Sequence, residues 1–192
     1  MDSTFYQGTS LVLETDAVTP GQNPSGNIVG AYKCFTSAAL AAAAVSTTSA
    51  PALYNPPNSG VVLRIQSVRL GVVGGTVIAG DLGYAYQLNP ILSGLTLGPA
   101  PLGTYLTRGA VFQGLWYSAL TLAAAPTFMG TNGISSGGAL AAGPLFQMYD
   151  PIGGFIAIPP GVIWFPFVAN GAEALTAFVT VDVVQTPFLT GF

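Results

Sequence analysis

This sequence predicts an all-β fold: a single jelly-roll-like antiparallel β-sandwich with extended terminal segments. Three observations carry that expectation. About seven or eight runs of roughly 6–13 residues are rich in β-branched and aromatic residues, several of them alternating. The 25 Gly and 15 Pro fall largely between these runs and leave no room for a long helix. Hydrophobic residues make up 51% of the 192, enough for one domain that buries about 70% of its unfolded surface without disulfides or metals. No fixed internal period appears, which sets aside solenoids and propellers.

Residues 1–27 read as an extended N-terminal arm. Leu11, Val12 and Leu13 suggest a brief strand, and TDAVTPGQNPSGN after them is a run of turn formers. The sandwich is expected over 28–186, with 187–192 as a C-terminal tail. In IVGAYKCFTSAALAAAAV (28–45), Ala favours helix over 38–45, while the β-type residues before it argue for a strand. STTSAPALYNPPNSG (46–60) reads as loop, since Pro51, Pro56 and Pro57 lack an N–H.

VVLRIQSVRLGVVG (61–74) is the clearest strand. Val61, Leu63 and Ile65 share one face, then the phase slips and Val68, Leu70 and Val72 line up. A one-residue slip in a period of two marks a β-bulge, here near Gln66 and Ser67. Leu63, Ile65, Leu70 and Val72 are therefore core, with Arg64 and Arg69 pointing away. Gly74-Gly75 is a hairpin signal, making TVIAGDLGYAYQL the return strand.

NPILSGLTLGPAPLG (89–103) reads as a connection, and YLTRGAVFQGLWY (105–117) as a second long strand carrying Phe112, Trp116 and Tyr117. Residues 118–144 form a small-residue stretch with too many glycines for a helix. FIAIPP, Gly161 and VIWFPFV read as strand, corner and strand. LTAFVTVDVV closes the domain, with Leu175, Ala177, Val179, Val181 and Val183 on one face and Thr176, Phe178, Thr180 and Asp182 on the other.

The most informative number is the charge. Only 6% of residues are charged, against about 25% in ordinary soluble domains. Four cations (Lys33, Arg64, Arg69 and Arg108) make no nucleic-acid footprint. The absence of His removes imidazole metal sites and Ser-His or Cys-His pairs. The lone Cys34 makes no internal disulfide and reads as a small buried hydrophobe. Asp81, Asp150, Glu173 and Asp182 read as solvated turn or surface acids; Asp150, before Pro151, looks like a turn start. The glycines at 71, 74, 75 and 80 are not a phosphate loop, having no Lys partner. No run of about 18 apolar residues suggests a membrane span, and MDSTFYQGTS has neither a basic nor an apolar leader region, so synthesis in the cytoplasm is expected.

The run NSGVVLRIQSVRLGVVGGTVIAGDLGYAYQL, ending at Leu88, resembles a segment of small structural proteins of tailed bacteriophages. FIAIPPGV followed by an aromatic strand is similar to the P-P-G corner of jelly-roll domains in that group, and LTAFVTVDVVQTPF looks like their final strand. The resemblance covers about half the chain and rests on turn glycines and alternating aliphatics. The stretch 118–144 and the N-terminal arm depart from it. It implies a jelly-roll virion protein that decorates or cements a capsid, often as a trimer.

The functional expectation is therefore a non-enzymatic virion structural protein of the capsid surface, with no cofactor, no metal, no nucleic acid and no membrane. Its partners are further copies of itself, a trimer being favoured, and the major capsid protein of the same virion. Low charge and abundant apolar surface favour association. Phe5, Tyr6, Leu11, Trp164, Phe188 and Phe192 are the expected oligomer or shell contacts. Within the structural class, a shell or tail protein is an alternative. From another class comes a carbohydrate- or receptor-binding module stacking sugars on Trp116, Tyr117 or Trp164. A cupin-like or glycosidase sandwich stands third, and cupin metal sites need the His this chain lacks.

Overall fold

The computed structural model describes residues 30–40, 42–43, 51–74, 81–103, 111–131, 147–169 and 175–188. Two sheets pack face to face as a sandwich, antiparallel except where the two-residue β2 joins. The first sheet contains β1 (Gly30–Leu40), β4 (Val61–Gly74), β7 (Leu102–Gly103), β10 (Gln147–Asp150), β11 (Ile156–Ile158) and β13 (Leu175–Pro187). Its order is β10-β4-β13-β1-β7, with β11 also on β4. The second contains β2 (Ala42–Ala43), β3 (Ala52–Asn55), β5 (Asp81–Leu88), β6 (Leu92–Leu97), β8 (Leu115–Leu122), β9 (Thr127–Thr131) and β12 (Val162–Ala169). Its order is β6-β8-β3-β12-β5-β9, with β2 on β12.

The alternation of the longest strands sets the core. Leu63, Ile65, Val68 and Leu70 from β4 meet Ala177, Val179, Val181 and Val183 from β13, all buried, while Arg64 and Arg69 are exposed. The side chain of Val72 lies outside the described residues. Asp182 pairs with Ser67 and Val183 with Ile65, so Gln66 is the extra residue of a β-bulge where the phase slips. The bulge is held from outside: Gly153 N–H donates to Gln66 O at 2.8 Å and Gly154 N–H to Ile65 O at 2.7 Å. Both glycines have positive φ, 62° and 83°, a conformation that side chains disfavour. Thus β10 and β11 form one broken strand along β4, interrupted opposite the bulge.

The second sheet is apolar on both faces. Along β12, Trp164 packs inward, whereas Ile163, Phe165 and Phe167 join a separate buried cluster with Tyr117, Leu120 and Leu122. Trp116 ties the sheets together, its indole N–H donating to Phe35 O at 3.1 Å.

Several expectations need correction. The strand after Gly74 does not pair back on β4 as a hairpin; β5 lies in the other sheet, between β12 and β9, and 75–80 lie outside the described residues. Residues 52–55 form β3 rather than loop, because ALYN pairs on both sides and buries Ala52 and Leu53. The connection over 89–103 contains β6 and β7. Of the long strand expected over 105–117, residues 105–110 lie outside the described residues, 111–114 are not strand, and β8 runs from Leu115 into the small-residue stretch, which also supplies β9. Phe112 sits before that strand, its ring 4.8 Å from Tyr32. The corner at 159–161 matches expectation: Val162 N–H donates to Pro159 O at 3.3 Å, Gly161 has φ 83°, and the chain passes from one sheet to the other.

Candidate functional site

The interrupted strand opposite the bulge opens a cleft on one flank of the sandwich, where the β9 edge of one sheet faces β10 and β11 of the other. A cavity of about 420 Å³ is lined by Tyr84, Met129, Asp150, Ile152, Phe155 and Ile156, among others. A second chamber of about 230 Å³ shares Met129 and Ile156 with it and reaches Leu88 and Trp164. The wall is mostly apolar, and Phe155 at its rim is 95% exposed.

The polar feature of this cleft is Asp150. It ends β10, and strand alternation turns it away from the exposed Tyr149 and into the sandwich, where it is only 3% exposed. Its Oδ2 accepts a hydrogen bond from the Tyr84 hydroxyl. Burial, then this donation to Asp150 and the carboxylate's charge, push the Tyr84 hydroxyl well above its ordinary value. Tyr84 is itself fixed by stacking on Trp164, centroid to centroid 5.4 Å. A carboxylate offers about four acceptor positions, and one phenol fills only one of them. No cation among the described residues pairs with Asp150, for both ion pairs there go to Asp182. The reading of Asp150 as a solvated turn acid is therefore corrected: the strand buries it.

Asp182 faces outward, as alternation implies, but it is paired. It accepts from Ser67 Oγ at 2.6 Å and Arg69 Nη2 at 3.1 Å, and Lys33 Nζ lies 3.9 Å away. Arg69 also sits 5.3 Å from the ring centre of Tyr149. The side chain of Asp81 and all of Glu173 lie outside the described residues. No group of three or more potential metal ligands occurs among the described residues.

Of the expected contact residues, Phe5, Tyr6, Leu11 and Phe192 lie outside the described residues. Phe188 is 40% exposed beside the end of β13, and its N–H donates to Gly60 O at 2.8 Å. Trp164 is corrected: at 1% exposure it is core rather than a surface contact. Trp116 and Tyr117 are likewise buried, so none of the three is a sugar-stacking platform. The exposed apolar side chains lie elsewhere. Ile91, Leu95, Leu97 and Leu102 project from β6, β7 and their ends, and Leu88, Phe128, Met129 and Phe155 from the opposite flank around the cleft.

Asp150, Tyr84 and Phe155 were missed as a group. The signal was present in QMYD, whose alternation opposes Asp150 to Tyr149, but four residues before Asp-Pro resemble a turn approach more than a strand. No protein-family model, curated protein or solved structure matches the chain.

Proposed function

We propose that this chain is a non-enzymatic structural subunit of a virion, a capsid decoration or cement protein of the jelly-roll type that binds the head shell as a homo-oligomer. The observation that carries the proposal is the distribution of apolar surface. Leu97, Leu102 and Ile91 are 65%, 57% and 74% exposed at one flank, and Leu88 and Phe155 are 63% and 95% exposed at the other. With only 6% charged residues, little charge separates two such surfaces.

Strand order supports the jelly-roll part. With β10 and β11 counted as one strand and β2, β6, β7 and β8 as additions, eight strands remain. In chain order they run 6-3-8-1 in one sheet and 2-7-4-5 in the other, an order that suits the interlocked Greek keys of a jelly roll. That fold serves viral capsids, lectins and cupins, so the fold alone does not choose among them. The chain's lack of His argues against a cupin metal centre, and the burial of Trp116, Tyr117 and Trp164 argues against the lectin-like alternative.

The test is gradient purification of intact particles from the source of this chain, with quantitative mass spectrometry. A fixed ratio of this chain to the major shell protein, set by capsid symmetry, is expected. A chain found only in the unsedimented fraction overturns the proposal.

A further inference from the structure

We propose that the Asp150 cleft is a receptor for the guanidinium group of an arginine presented by a neighbouring polypeptide. This rests on the reading of the chain as an assembly subunit and names the chemistry of one contact.

A buried carboxylate is expensive unless it meets a cation, a metal or several donors. Asp150 is 3% exposed, holds one phenol donor and has no cationic partner among the described residues. The cavity it lines is open and roomy, about 420 Å³, so a group can enter from outside. The other walls are apolar, including Ile152, Ile156 and Met129, and they suit an aliphatic stem. At the mouth stands the ring of Phe155, 95% exposed, and a cation passing it gains from the ring's negative face. Tyr84, which also lines the cavity, holds the carboxylate through its hydroxyl.

These features select guanidinium over ammonium. A guanidinium sheds its hydration more easily, stacks on aromatic rings and offers paired donors to one carboxylate. A metal ion is disfavoured, since Asp150 belongs to no group of three potential ligands among the described residues. A neutral amide of the same shape gains the apolar contacts without the charge.

The test uses the full chain with methyl NMR of Ile152, Ile156 and Met129, titrated with N-acetyl-arginine methylamide and with its neutral isostere N-acetyl-citrulline methylamide. The expected result is saturable shifts at these methyls with the arginine probe, and binding about tenfold weaker with citrulline. Asp150→Asn should abolish the preference for arginine. Phe155→Ala, at an exposed rim position that the fold does not need, should weaken the arginine probe severalfold; it decides the matter if Asp150→Asn fails to fold. No shift at the solubility limit, equal binding of the two probes, or an unchanged preference in Asp150→Asn overturns the proposal. Arginine binding by a chain that never sediments with particles leaves the cleft standing and removes the virion reading; the reverse pattern removes the cleft alone.

Discussion

Cys34 faces the core from β1 with no exposed surface, and burial, reinforced by the charge of Asp182, pushes its thiol upward. A thiol needs both access and ionisation to react, so the native protein at pH 8 should not react with a disulfide-exchange reagent. One equivalent should react once the chain is unfolded, and a rapid native reaction contradicts the burial. Tyr84 is shifted the same way. A group whose folded value is raised gives stability that is whole below its unfolded value and is lost as pH climbs toward the folded one. Melting temperature should therefore fall as pH rises past 9.0 for Cys34 and 10.0 for Tyr84. Tyr84→Phe should melt lower at pH 7, since Asp150 loses its donor at a cost of about 1–3 kcal/mol, but its melting temperature should decline less between pH 10 and 11. An equally steep decline contradicts the role given to Tyr84. At this scale the lone cysteine was legible from its apolar surroundings. Asp150 was not, because its burial depends on a sheet edge that the adjacent sequence does not announce.

Strand β4 shows what period-two reading recovers. The slip at Gln66 was visible as a change of phase, and the pairing of β4 with β13 places the extra residue there. What lies outside the strand, two glycine amides capping the bulge from 151–155, had no local signal. Leu70, 2% exposed between the sheets, should cost about 2–5 kcal/mol when changed to Ala, measured by denaturant unfolding. A loss below about 1 kcal/mol would mean that the site is not core. Gly98 carries a different constraint. Its N–H donates to Trp116 O at 2.9 Å, and a Cβ built there would lie 2.3 Å from the Trp116 ring. Gly98→Ala should destabilise by about 1–3 kcal/mol through overpacking, detectable as a lower melting temperature; an unchanged one contradicts the close approach. The short strands β3 and β6 were hidden because proline and glycine flank them, and those residues mark turns more strongly than four to six residues mark a strand. The placement of β5 failed for a related reason: a Gly-Gly pair suits a hairpin, but whether the chain turns back or crosses to the other sheet is decided by distant partners, here β12 and β9.

For the whole molecule, composition spoke more clearly than any motif. Abundant apolar residues and few charges implied a surface to cover, and apolar side chains do stand exposed at both flanks. Where that surface lies was not legible, since β6, β7, β9 and the cleft come together only through long-range pairing. Two different flanks at opposite edges suit head-to-tail contacts, and these close into rings when the rotation allows. Sedimentation of the purified chain at micromolar concentration tests this most directly. A discrete oligomer is expected, a trimer of the 19.5 kDa chain, that dissociates when Leu97→Glu or Phe128→Glu places a charge on either flank. A stable, soluble monomer across that range would contradict it.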